Sequence, residues 1–180
     1  MLPLPMTTDT FLREAVTPAL ELLPPHLTSD KARVLLVAIA LQESGLRHRW
    51  QVLDGGGKGP ARGLLQFERG SKASRGGVWG VYLHHASSEM LCLLCRDRDC
   101  NFEPFAIWAQ LEHDDILAAG VARLLLWTDP GALPAVDDAA GAWALYCDRT
   151  WRPGKPHAGT WAENHRKALD AVLRLTTSPT

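Results

Sequence analysis

The sequence predicts a mostly α-helical domain with a small β element, α+β in class, built round one buried helix. Residues 34–41 (VLLVAIAL) form an unbroken apolar run, with Ser29 before it as a helix N-cap and Gly45 after it as a stop. A helix apolar on nearly every side belongs at the centre of a core. Nine of the fifteen glycines lie between Gly55 and Gly80 without helical periodicity, so an irregular lobe interrupts the helices.

The elements follow in chain order. Residues 9–23 carry apolar positions at helical spacing, and Pro24-Pro25 ends them. The central helix spans about residues 30–43. Residues 51–83 read as loop with short strands or turns, including a small hairpin at about 62–68. Helices resume at about 87–96, 104–112 and 114–127, with Pro104 suited to a first turn. The turn DPGALP (129–134) precedes a helix of about 137–149. A basic loop, RPGKPHAG, leads to a last helix at about 160–176, where Thr160-Trp161-Ala162-Glu163 has capping-box spacing. A loop lobe carried by rigid helices predicts a cleft.

The length of 180 residues fits one domain, residues 1–180, with no internal repeat. Its 46% hydrophobic and 22% charged composition is that of a globular protein, and a net charge of −1 gives no global reason to expect nucleic acid or an anionic membrane as partner. No apolar run is long enough to span a bilayer, and stable membrane insertion is not expected. The N-terminus lacks a basic start and an apolar h-region, so the expected location is the cytoplasm. Four cysteines are then expected as reduced thiols.

Glu43 is the sharpest candidate site residue. Three, four and seven positions back on its helix face stand Ala40, Ile39 and Leu36, so its carboxyl lies on an apolar stripe. The last helical turn also carries negative dipole charge. Both effects raise a carboxyl pKa, as a general acid at neutral pH requires. The alternative is a glutamate frayed into water at a helix end.

Glu43-Ser44 followed by Gly63-Leu64-Leu65-Gln66 resembles the soluble lytic transglycosylase and goose-type lysozyme group, which has Glu-Ser ending a central helix and Gly-Leu-Met-Gln some twenty residues on. Ile116 to Leu125 is similar to that group's Asn-Ile-x-x-Gly-x-x-Tyr-Leu helix, and Trp143-Ala144-Leu145-Tyr146 falls where it has Ala-Ala-Tyr-Asn. The matches cover about residues 30–150, and Arg149 to Pro156 looks like a phage or prophage branch. The resemblance implies a lysozyme-like fold that cleaves the β-1,4 bond between N-acetylmuramic acid and N-acetylglucosamine in peptidoglycan glycan strands. It implies Glu43 as catalytic acid and then base. Ser44 and Gln66 would order the cleft and hold sugar groups, and Tyr146 would direct its hydroxyl to Glu43 or substrate. It also implies an enzyme that accumulates in the cytoplasm until lysis releases it to the cell wall, or one carried in the virion. A monomer without cofactor or metal is expected.

Two departures matter. Leu65 replaces the motif methionine, and Cys147-Asp148-Arg149 replaces the expected Asn-Ala-Gly. The outcome then turns on a second carboxylate. Hydrolases use two, about 5–5.5 Å apart for retention or about 6.5–9.5 Å for inversion. A transglycosylase needs one, because the muramic acid's own 6-hydroxyl attacks. Glu68 is the nearest candidate, with Asp54 and Asp148 behind it; the alternative for Glu68 is a loop charge paired with Arg62 or Arg69.

Seven Lys or Arg between Arg47 and Arg75 face only Asp54 and Glu68, a local net of +5 that suits either a cleft rim attracting stem-peptide carboxylates or a solvated loop. Trp50, Trp79 and Trp151 lie in or beside loops and can stack on sugars, whereas Trp108, Trp127, Trp143 and Trp161 sit in helical runs and are expected in the core. Cys92, Cys95 and Cys100, with His84-His85 and Cys147, fall short of a paired zinc pattern. Two rival readings stand beside the enzyme: a phage tail or virion protein keeping the fold as a binding module, and a zinc-stabilised helical adaptor.

Overall fold

The computed structural model describes residues 1–177, and these are mostly helical with one two-stranded sheet. Helix α1 (Thr8–Phe11) passes through a π-helical turn (Leu12–Val16) into α2 (Thr17–Glu21), and a 3₁₀ turn (Pro25–Leu27) follows the two prolines. Helix α3 (Asp30–Ser44) is the central one. Ser29 Oγ accepts from the Ala32 amide, and Gly45, at φ +58°, closes the helix by donating to Leu41 O. Every residue from Val34 to Ala40 is buried. Helix α9 (Ala158–Thr177) lies along α3, with Trp161, His165, Ala168, Ala171 and Val172 forming its inward stripe.

Strands β1 (Trp50–Val52) and β2 (Lys58–Arg62) pair antiparallel, with Trp50 opposite Arg62 and Val52 opposite Lys58. The hairpin therefore precedes the position expected for it. Residues 62–68 form a tight loop instead, closed by reciprocal backbone bonds of 2.8 Å between Arg62 and Phe67. A second difference is α4 (Gly77–Leu83), a helix inside the stretch expected as loop. Its two glycines disguise it. Gly80 is required, since a Cβ there would stand 2.5 Å from Arg75 O.

Helices α5 (Ser88–Asp97), α6 (Pro104–Gln110) and α7 (Asp115–Trp127) lie where the periodicity puts them, and Pro104 does open α6. Gly120 of α7 leaves room for Leu94 of α5, whose Cδ2 would be 2.5 Å from any added Cβ. The expected helix over 137–149 is α8 (Ala139–Trp143) continuing as a π-helical turn (Ala144–Thr150). The last helix begins two residues before Thr160, so the capping box does not form. Thr160 Oγ1 bonds Gln42 Oε1 and His157 O instead. Among the described residues no helix is long and apolar enough to cross a membrane.

Candidate active site

Glu43 occupies the last turn of α3, where the buried helix reaches the edge of the core. Tyr146 Oη donates to Glu43 Oε1 at 2.8 Å. Burial pushes the Glu43 carboxyl up to about 7; the Tyr146 bond opposes this and the charge of Glu68 adds to it. A carboxyl so placed is protonated in a large fraction of molecules at neutral pH, and can give up its proton there.

Tyr146 is fixed from several sides. Its ring stacks on Trp161 at 5.2 Å and 2°, meets Trp143 edge-on at 5.6 Å, and lies 6.2 Å from Trp151. Trp161 Nε1 donates to Ala139 O at 2.7 Å, and Trp151 Nε1 donates to Leu65 O at 3.1 Å. Burial and the neighbouring Glu43 raise the phenol well above its ordinary pKa, so it stays a donor. The π-helical turn aims it. The Trp151 amide reaches back five residues to Tyr146 O, and Thr150 Oγ1 caps Leu145 O at 2.7 Å. Such turns are rare and recur at functional sites.

Ser44 Oγ contacts Leu64 O at 2.7 Å and Ala40 O at 3.2 Å and accepts from the Leu46 amide at 3.2 Å. It thereby ties the end of α3 to the loop 63–67 through backbone contacts. Gly63, at φ +73°, lets that loop pass close to its neighbour: a Cβ would stand 2.8 Å from Leu111 O. Gln66 has φ +50°, a costly conformation for a non-glycine residue. Its Nε2 donates to Gly63 O at 2.8 Å and His48 O at 3.3 Å, so it braces the loop.

Glu68 is exposed but near enough for its charge to act on Glu43, and Arg62, offered above as its partner, pairs with Glu112 instead. Asp54 and Asp148 are exposed, on the hairpin turn and the π-helical turn. Trp151 is half-buried, packed edge-on against Phe67 at 5.2 Å. Trp50 is exposed on β1 with Lys58 Nζ 5.2 Å from its ring centre. Of the tryptophans expected in the core, Trp161 is buried, Trp108 and Trp143 are half-buried, and Trp127 is 37% exposed.

The basic loop is less bare than the sequence suggests. Arg49 is buried in a two-pronged pair with Asp115, Nε to Oδ1 at 2.8 Å and Nη2 to Oδ2 at 2.6 Å. Glu112 receives Lys58 at 2.7 Å and Arg62 at 3.2 Å. Counting these two acids lowers the local charge from +5 to +3. Gln42, assigned no role from sequence, docks α9 onto α3: Nε2 donates to His157 O, and Oε1 accepts from Asn164 and Thr160. Among the described residues no group of three or more His, Cys, Asp or Glu side chains is placed to hold a metal.

Comparison with family models, curated proteins and solved structures finds no match to this chain.

Proposed function

We propose that this chain is a lysozyme-like enzyme that cleaves the β-1,4 glycosidic bond between N-acetylmuramic acid and N-acetylglucosamine in peptidoglycan. The observation that carries the reading is Glu43: a carboxyl at the end of a buried helix, hydrogen-bonded to Tyr146 and held near pKa 7 by burial. Glu43 protonates the glycosidic oxygen as the bond breaks, then takes a proton from the attacking hydroxyl. Tyr146 steadies the carboxylate between the two steps, because its bond favours the charged form. The order Glu43-Ser44, Gly63 to Gln66 and Tyr146, drawn into one neighbourhood by Ser44–Leu64 and Tyr146–Glu43, supports the lysozyme-like fold. The protein is proposed to act as a monomer on glycan strands.

The test is mass spectrometry of purified peptidoglycan after incubation with the protein and with Glu43→Gln. Cleavage by the parent and its loss in the variant is the expected result. Muropeptides ending in 1,6-anhydromuramic acid identify a transglycosylase; reducing-end muramic acid identifies a hydrolase and makes Glu68 the residue to test next. Binding without cleavage by the parent overturns the enzyme reading in favour of a phage structural or wall-binding module.

A further inference from the structure

Cys95 and Cys100 meet because of how α5 ends. Asp99 takes a left-handed conformation at φ +49°; its amide bonds Arg96 O at 3.3 Å, and the Cys100 amide bonds Cys95 O at 2.8 Å. This pair of nested reverse bonds is the Schellman closure of a helix, which brings the third residue from the helix end against the second residue beyond the cap. Those positions usually hold two apolar side chains. Here both are cysteines. Cys95 is fully buried and Cys100 is partly exposed; burial first, and then the neighbouring Cys100, push the Cys95 thiol up to about 12. A disulfide needs Cα atoms about 4.4–6.8 Å apart and converging side chains. The backbone bond between the two residues, in a closure that sets these two positions against each other, brings the pair together.

We propose that Cys95 and Cys100 are a built-in oxidation site, closing to an intramolecular disulfide by exchange with a disulfide oxidant of the glutathione or oxidoreductase class. The Cys100 thiolate, the more accessible, attacks one oxidant sulfur and expels the other half as a thiolate. The Cys95 thiolate then attacks the Cys100 sulfur and expels the second half. Two protein thiols lose their protons to the two departing thiolates, and one oxidant disulfide is reduced to two thiols. Cys92, one turn earlier and exposed, lies outside the closure and is not part of the pair.

The bond pins the end of α5 to the segment leading into α6. The next helix, α6, is the one whose Trp108 donates from Nε1 to Pro60 O at 2.9 Å. The inference does not depend on the glycan-cleaving reading, and chain oxidation can succeed or fail whether or not glycan is cut.

The experiment uses the full chain carrying Cys92→Ser and Cys147→Ser, incubated with oxidised glutathione at mildly alkaline pH, alkylated and digested with trypsin. Arg96 and Arg98 lie between the two cysteines, so trypsin separates them unless a disulfide joins the peptides. The expected result is a linked pair, an intact mass lower by about 2 Da and a Tm higher by about 5 °C, as a short cross-linked loop gives. With Cys95→Ser added, glutathione should stay on Cys100. Recovery of both cysteines alkylated, or a stable glutathione adduct on Cys100 with Cys95 present, overturns the proposal. If the double variant does not fold, the parent's linked pair, fragmented between Cys92 and Cys95, gives the same readout.

Discussion

Replacing Glu43 by Gln should make the protein more stable, and only at higher pH. A carboxyl whose pKa rises from 4.5 to about 7 on folding carries a linkage penalty. Below pH 4.5 native and unfolded chains both hold the proton, and the group is neutral in the balance. As pH rises from 4.5 toward 7 the unfolded chain releases it first, and the native state loses stability over that window. Above pH 7 the loss is complete, at about 3 kcal/mol. Glutamine keeps an acceptor for Tyr146 and has no proton to lose. Its amide is buried at every pH, so that cost cancels when pH values are compared.

The assay is urea unfolding of parent and Glu43→Gln at pH 4, 5.5 and 8. Near pH 4 the parent's own carboxyl is protonated and the difference reflects the amide alone. By pH 8 the variant should gain about 3 kcal/mol relative to that baseline, or about 6–12 °C in Tm for a chain of this size. A stability difference that stays flat between pH 4 and 8 would refute the reasoning: Glu43 would then ionise as freely as in the unfolded chain.

Three further outcomes follow from the same geometry. Tyr146→Phe removes the donor that favours ionised Glu43 and leaves burial and Glu68 to act, so the alkaline limb of the pH–activity profile should move upward; a downward shift contradicts the assigned direction. Asp115→Asn strands the buried Arg49 charge and should cost about 3 kcal/mol in urea unfolding, while Arg49→Met with Asp115→Leu should recover most of it. Gly63→Ala meets both the φ of +73° and Leu111 O, and should cost about 2 kcal/mol; unchanged stability would show that the loop can shift.

What the sequence made legible is what depends on neighbours within one turn. Ser29 and Gly45 bracket α3, and the spacing of Ala40, Ile39 and Leu36 places the half-buried Glu43 where the apolar face meets the edge of the core, because a helix's own period carries that information. The pairs made across long separations were hidden. Arg49 and Asp115 are 66 residues apart, and nothing local separates a buried arginine from the exposed cations around it. The hairpin slipped for a related reason: in a stretch so rich in glycine, alternation is too weak to fix a register. Helix α4 was lost because glycine counts against a helix, while its Val78 and Val81 anchors and the tight approach to Arg75 were invisible without the rest of the chain. The π-helical turn has no period of its own to read.

That turn also bears on the Cys147-Asp148-Arg149 departure. In the proposed reading these residues stand where the lytic transglycosylase and goose-type lysozyme group carries Asn-Ala-Gly, and the change would matter most if they faced the acid. They do not set its state. Asp148 and Arg149 are exposed, and Arg149 is drawn away to Asp129 at 3.2 Å. What acts on Glu43 is burial, the Tyr146 hydroxyl and the charge of Glu68. The triplet's side chains therefore leave the Glu43 carboxyl to those three effects, and its backbone serves the site by continuing the π-helical turn that aims Tyr146. What the triplet leaves open is the second step, the choice of attacking hydroxyl. There Glu68, exposed and close enough to raise the Glu43 carboxyl, is the side chain whose removal separates the outcomes: Glu68→Gln should leave a transglycosylase cleaving and stop a hydrolase that draws on it to activate water.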